Sequence, residues 1–341
     1  MNFAGVIRLN KCGCVCLIFV FLLLILYVIS RSSKLDEENT VNLRKLLIAA
    51  IEVAEKGGKE VSYVRSLPDI NIKSKGKTKE GANDPVTIAD KKSHCVMYYG
   101  MTQAFPKVKV ISEEEKASED CNPVQLVELD PRGLDGQADP GDEFVPVDDV
   151  TVWIDPLDAT QEFTENLLSY VTTLVCVAVR GKPIIGVIHK PFAEEPKTTW
   201  SWLGKAKSAD LKNLKQVEQI QPLSIIVSRS HAGRVEEVAK KAFGPETKVI
   251  PAGGAGYKVL EVIAGNATAY IHTTNIKKWD ICAGNAIIHA AGGDMTTLKN
   301  QQIDYSSGSK SVNTDGLFVT VGSHHSELIQ KLSNINHTGR R

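Results

Sequence analysis

The sequence predicts a layered α/β (α+β) fold behind one N-terminal apolar segment, and three observations carry that prediction. Strand-like and helix-like stretches interleave from residue 41 to the C-terminus, which favours layered sheets and helices over a bundle or a sandwich. An uncharged run, Cys12 to Ile29, stands apart from this alternation. Acidic residues recur where predicted strands end or predicted helices begin.

The apolar run comes first in the chain. Its 18 residues would span roughly 27 Å as a helix, enough for a bilayer core. Arg8 and Lys11 precede it, and Arg31 and Lys34 follow. It reads as an uncleaved signal anchor over residues 12–30, with a tail at 1–11, a polar stem at 31–40 and one domain at 41–335. A cleaved signal peptide ending near Val28-Ile29-Ser30 is the competing reading; the run is long for a signal core and lacks an Ala-x-Ala end. The positive-inside tendency keeps the basic tail cytosolic and makes the domain lumenal. The triplets Asn266-Ala267-Thr268 and Asn336-His337-Thr338 are glycosylation acceptors compatible with that side, with the depth of the first left open.

From Val41, Leu43, Leu46, Leu47, Ala50, Ile51 and Ala54 fall on one helical face. A second helix is expected over Ala89–Phe105, and a strand over Lys107–Ile111 that runs into Glu113-Glu114-Glu115. Cys121–Asp149, with four prolines and three glycines, reads as a long exposed acidic loop covering 117–149. Val150–Ile154 is a buried strand, and Thr172–Val179 with Pro183–His189 forms a hairpin. Strands are then expected at Ser224–Val227, Lys248–Ile250, Ala269–His272 and Leu317–Val321. Helices are expected at Arg234–Ala242, Tyr257–Ile263, Asp280–Ala291 and Ser326–Leu332.

Composition narrows the function classes. Forty basic and 40 acidic residues balance, so no global field points to nucleic acid. Of the seven cysteines, Cys12, Cys14 and Cys16 crowd the apolar segment. Cys95, Cys121, Cys176 and Cys282 show no metal-ligand spacing. Cys176 and Cys282 lie in apolar runs and read as buried free thiols rather than a disulfide framework.

The chemistry concentrates in Val152-Trp153-Ile154-Asp155-Pro156-Leu157-Asp158-Ala159-Thr160, where two carboxylates flank a proline turn between a buried strand and the start of a helix over Ala159–Leu167. Carboxylates facing free N–H groups at a helix start suit a hard cation and a phosphate. Taken alone, Asp-Pro-x-Asp is more often a solvated turn. Asp90, Glu113-Glu114 and Trp279-Asp280 repeat the layout, although each also fits a helix cap or a surface acid.

Together these motifs resemble the lithium-sensitive, magnesium-dependent phosphomonoesterase family that includes inositol monophosphatases and bisphosphate nucleotidases. The family pattern is met in order by Thr87–Asp90, Glu113-Glu114, Asp155–Thr160 and Trp279-Asp280, across about residues 41–325. The resemblance implies a layered αβαβα sandwich and two to three Mg2+ ions. Glu113, Asp155 and the Leu157 carbonyl would hold one ion, and Asp155, Asp158 and Asp280 a second. Thr160 and Asp90 would orient and deprotonate the attacking water. Ala159 replaces the usual glycine, which is tolerable if its φ stays negative.

Gln161-Glu162-Phe163 looks more like the nucleotidase branch than the inositol branch. Ser228 and His231, with Gly254 and Lys258, would bind a second phosphate and pack on an adenine ring. The implied activity is hydrolysis of the 3′-phosphate of adenosine 3′,5′-bisphosphate to AMP in the Golgi lumen by a single-pass membrane protein, with a homodimer hinted. The alternatives are a membrane-tethered inositol monophosphatase and an inactive lumenal adaptor.

Overall fold

Period-two alternation along the strands sets the architecture. The computed structural model describes residues 19–24, 39–77, 81, 83–114, 121, 127–129, 134, 139–212, 222–229 and 235–338. In the first sheet, β4 (Lys109–Ser112), β6 (Val150–Asp158), β7 (Thr172–Val179), β8 (Lys182–Lys190), β9 (Lys197–Trp202) and β10 (Ala206–Lys207) lie in the order β10-β9-β8-β7-β6-β4. All neighbours are antiparallel except β4 and β6, which run parallel. Val152, Ile154, Val175 and Val177 point to one face, where α1 (Leu43–Arg65) and α2 (Ile88–Ala104) cover them. Trp153, Leu174, Cys176 and Ala178 point to the other, into the largest interlayer core.

That core is shared with α5 (Ala255–Ile263) and α6 (Lys278–Ala290), which lie between the two sheets. The second sheet has the order β12-β11-β13-β17-β15, from β11 (Ser224–Ser228), β12 (Lys248–Ala252), β13 (Ala269–His272), β15 (Gly293–Thr296) and β17 (Leu317–Val321). Ile226 of β11 faces the interlayer core, while Ile225 and Val227 face α4 (Val235–Phe243) and α7 (His325–Thr338). Helix, sheet, helix, sheet, helix follow in succession, the layering expected.

The long predicted elements occur, and short pairings were missed. Lys73–Lys77 (β2) and Asn83–Val86 (β3) form an antiparallel hairpin ahead of α2. The acidic 117–149 segment is not free where it is described. Phe144–Pro146 (β5) pairs with Thr40–Asn42 (β1), Leu134 is buried, and Asp139 holds the Arg44 guanidinium at 2.5 and 2.6 Å. Its prolines and acids hide these tertiary ties, which have no sequence period.

Three further expectations change, and the depth of Asn266, left open above, is answered. Cys176 and Cys282 are not free thiols: they form a disulfide, and Cys95 pairs with Cys121, with Cα atoms 5.6 and 5.5 Å apart respectively. A separation of 106 residues concealed that two apolar runs face one another across the core. Ala159 has φ 75° and ψ 44°, not negative φ, because the chain must reverse sharply between β6 and α3 (Thr160–Thr164). A left-handed Ala costs about 1–2 kcal/mol. The helix after it spans Thr160–Thr164 rather than reaching Leu167. Asn266 is exposed, on the turn that follows α5.

Most of the apolar run at 12–30 lies outside the described residues. Residues 19–24 are helical, and Phe19 to Leu24 are each exposed. Among the described residues no helix is long and apolar enough to cross a membrane.

Candidate active site

The β6 ladder breaks register against β7 between Asp155 and Asp158. In an unbroken strand, residues three apart would face opposite sides of the sheet. The irregularity brings both carboxylates to the wall of one cavity, of about 580 Å³, together with Leu157, Ala159 and Thr160. Parallel pairing carries Glu113 to the same place, since its N–H donates to the Ile154 carbonyl at 3.1 Å. Asp280 arrives from the first turn of α6, where its carboxylate accepts from the Lys277 N–H at 3.2 Å.

Each predicted acid is held by identifiable donors. Asp158 accepts from the Ala255 and Gly256 N–H groups at 3.0 and 2.8 Å and from Thr172 Oγ1 at 3.1 Å, so it caps α5 from across the cavity. Asp155 accepts from the Leu157 N–H at 3.1 Å. Asp90 accepts from the Thr87 N–H at 2.6 Å and Thr87 Oγ1 at 2.7 Å, and its other oxygen lies 3.0 Å from Thr160 Oγ1. The Thr160 hydroxyl is also 3.1 Å from the Leu157 carbonyl. The expected Thr160–Asp90 pair is therefore present.

The electrostatics are those of crowded like charges in low dielectric. Burial pushes the Asp155 carboxyl well above the usual range, and Glu113, Asp158 and Asp280 push it further. Asp280 is raised the same way, by burial and then by Glu113 and Asp158. Burial also raises Asp158, against the pull of Lys258 and its hydrogen bonds. Asp90 is raised to about 7 by burial, opposed by the Thr87 bonds and assisted by Glu113 and Glu114. Lys75, from the β2 hairpin, pairs with Glu113 at 2.9 Å and with Glu114. Burial lowers its pKa, but the two glutamates outweigh that and hold it raised.

The facing wall comes from the second sheet: Ser228, Gly253, Gly254, Lys258, Tyr270 and His272 line it. Gly254 has φ 60°, and a Cβ there would lie 2.7 Å from the Tyr170 carbonyl and 3.1 Å from Asp158, so glycine lets the turn close on the acids. The Lys258 ammonium is buried over the Tyr270 ring at 5.2 Å and donates to the Gly254 carbonyl at 2.5 Å. Burial lowers its pKa to about 8, with Asp158, Glu162 and Asp280 acting against the fall. His231 lies outside the described residues.

Sequence reasoning missed Lys75, Glu162, Arg229 and Tyr270. Arg229 pairs with Glu162 at 3.2 Å and Glu165 at 2.5 Å, behind Gly253. Arg229 stood inside the quoted Ser-Arg-Ser-His segment, and Glu162 two residues after Thr160, so proximity to motifs was the available signal. Lys75 had none, since its strand, Lys73–Lys77, carries no apolar side chain.

Among the described residues no three acidic, histidine or cysteine side chains already stand drawn together as a ligand cluster. Even so, buried carboxylates that raise one another's pKa and share a cavity with a backbone carbonyl fit hard divalent cations.

The inositol monophosphatase family model matches residues 42–337, and the chain belongs to that family. It is a phosphatase of the inositol monophosphatase fold. The chain is 48% identical over 302 residues to inositol monophosphatase 3 of Xenopus tropicalis, covering 87% of this chain and 82% of that protein. It is 45% identical over 308 residues to the Golgi-resident adenosine 3′,5′-bisphosphate 3′-phosphatase of Homo sapiens, covering 89% and 84%. Among solved structures, inositol monophosphatase from Anabaena (Nostoc) aligns with TM-score 0.60 at 20% identity, covering 86% of this chain and 96% of that one. CysQ from Bacteroides thetaiotaomicron aligns with TM-score 0.56 at 21% identity, covering 82% and 97%. At those identities the structures speak to the fold alone.

Proposed function

We propose that this phosphatase hydrolyses the 3′-phosphate of adenosine 3′,5′-bisphosphate to AMP and phosphate, using two to three Mg2+ ions, in the Golgi lumen. The observation that carries the reading is the cavity's two unlike walls. A wall of buried acids suits cations and one phosphate, while the facing wall offers Ser228, the Gly254 turn, Lys258 and Tyr270 to a second anionic and aromatic group. A simple inositol monophosphate has no second phosphate for that wall.

Glu113, Asp155 and the Leu157 carbonyl would hold one ion, and Asp155, Asp158 and Asp280 another. Bound magnesium supplies charge neutralisation for the phosphate and acidifies water in its shell. The chain's own contribution is proton handling. Thr160 Oγ1 donates to Asp90 and keeps lone pairs to accept from a water, and Asp90, with its pKa near 7, is matched to take that proton at neutral pH. Ala159, Thr160 and Gln161 at the start of α3 line the same cavity, and their N–H groups would hold phosphate oxygens.

Relatives of similar identity carry two different names, so substrate choice rests on this geometry. The two disulfides favour an oxidising compartment, and the exposed Asn266 suits a lumenal acceptor. The apolar 12–30 segment would anchor the domain, residues 41–335, as a type II membrane protein. The rival reading, a membrane-tethered inositol monophosphatase, is favoured by the name of the Xenopus relative. Initial rates on adenosine 3′,5′-bisphosphate and inositol 1-phosphate, with and without Mg2+ and Li+, decide between them. Magnesium-dependent, lithium-inhibited preference for the nucleotide is expected; a tenfold preference for the inositol ester overturns the proposal.

A further inference from the structure

The Cys176–Cys282 bridge sits directly behind the acidic wall. Cys282 follows Asp280 by two residues on α6. Cys176 stands opposite Trp153 in the β6–β7 ladder, and Trp153 precedes Asp155 by two residues. The bridge therefore joins the element that carries Asp280 to the strand pair that carries Asp155 and Asp158. Both cysteines are buried.

Polar ties hold the two ends of α6 without reaching β6 or β7. Ile276 and Lys277 pair with Asn313 and Val312, and the Lys278 N–H donates to the Ser311 carbonyl at 2.8 Å. Lys278 Nζ donates to Ser309 Oγ at 2.6 Å, and Lys207 Nζ donates to the Ala290 carbonyl at 3.2 Å. Ile281, Ala283 and Ile287 pack in the interlayer core, and Gly186 of β8 has no side chain where a Cβ would lie 2.3 Å from the Ala283 carbonyl. Among the described residues no hydrogen bond runs directly from α6 to β6 or β7. The polar connection is relayed by Tyr305, whose carbonyl accepts from Trp153 Nε1 at 2.8 Å and whose hydroxyl accepts from Asn285 Nδ2 at 2.9 Å. Apolar packing resists separation of the layers but fixes axial and rotational register weakly, because it has no preferred direction. Asp155, Asp158 and Asp280 converge from β6 and α6 on one cavity.

We infer that the Cys176–Cys282 disulfide is a positioning element of the metal centre, holding Asp280 in register with Asp155 and Asp158 before any cation arrives. The inference rests on the reading of those three carboxylates as cation ligands. A tether that prepays the cost of assembling like-charged ligands raises cation affinity, as supporting contacts around a metal's ligands do by about 10–100-fold.

The test is isothermal titration of Mg2+ into the purified full-length protein, with a thermal melt on each sample. Two variants remove the bridge: Cys176→Ala/Cys282→Ala, and Cys176→Val/Cys282→Ala, which refills the core volume without a covalent link. A third, Cys95→Ser/Cys121→Ser, removes the bridge that does not join metal-ligand elements. Expected is a Mg2+ affinity at least fivefold weaker in both Cys176/Cys282 variants, including the refilled one, and within twofold of the parent in the Cys95/Cys121 variant. Parent-like affinity in a folded Cys176/Cys282 variant overturns the inference. So does equal weakening in the Cys95/Cys121 variant, which would trace the effect to general stability, or failure of both Cys176/Cys282 variants to melt cooperatively, which would make the bridge a staple of the whole fold. If Asp155→Asn leaves the parent's titration unchanged, the ligand reading itself is wrong and the inference falls with it.

Discussion

The acidic wall of the cavity is assembled from the ends of β4 and β6 and the first turn of α6, whereas the facing wall comes from β11, β13 and the turn before α5. The first wall repeats one local device, a carboxylate toward the end of a strand or the start of a helix, and places it four times, at Glu113, Asp155, Asp158 and Asp280. The second has no repeated device. It combines a serine, a glycine turn, a buried lysine and a tyrosine drawn from separate elements. On the proposed reading, the contrast teaches that generic chemistry, holding cations and a phosphate, is written in short motifs, while discrimination between phosphate esters is distributed over the tertiary surface. Asp158 belongs to both walls, since it lines the cavity beside the other acids and caps α5.

The largest effect should come from the acidic wall. Asp155→Asn removes a carboxylate shared by both proposed cation positions and should lower kcat about 10³-fold at saturating Mg2+, equivalent to several kcal/mol of lost stabilisation. Retention of a tenth of the activity would show that this wall is not the reacting one. Thr160→Ala breaks the hydroxyl link to Asp90 and should cost about 10²–10³-fold in kcat with KM little changed.

The same wall should destabilise the metal-free protein as pH rises. The Asp90 carboxyl titrates at about 3.8 in an open chain and is raised to about 7 by burial in the fold, so between these limits the folded state retains a proton that the unfolded state has lost. Its contribution therefore favours folding at the acid end and is lost as pH climbs through about 7, and Asp155, Asp158 and Asp280 act in the same direction. Calorimetry with a chelator should give a Tm that falls from pH 5 to pH 8, with saturating Mg2+ flattening the slope. A metal-free Tm that rises over this window would contradict the crowded-carboxylate account.

The facing wall should show smaller and substrate-selective effects. Ser228→Ala should raise KM for adenosine 3′,5′-bisphosphate about tenfold, the worth of one hydrogen bond to a charged group. For adenosine 3′-monophosphate, which lacks the second phosphate, the change should stay within twofold. Equal effects on both esters would place Ser228 at the scissile phosphate and blur the distinction between the walls. The smallest change lies at the hinge between strand and helix: Ala159→Gly should stabilise the protein by about 0.5–1 kcal/mol in chemical denaturation, because glycine meets no Cβ penalty at φ 75°.

The sequence by itself determined the layered fold, the strand that carries Asp155, the helix that carries Asp280 and the identity of the acidic residues. Those features depend on side-chain period and on polar residues breaking it, which are local properties of the chain. It did not determine the left-handed Ala159, since φ there follows from how β6 must turn into α3. Nor could it place Lys75 against Glu113 and Glu114, or Arg229 against Glu162 and Glu165, because those ion pairs join residues 38 to 67 positions apart. The pairing of Cys176 with Cys282 is of the same kind. Only the stacking of α6 against β7 brings two apolar runs 106 residues apart within 5.6 Å at Cα, and burial alone gives the same sequence signature for a free thiol and a bridged one.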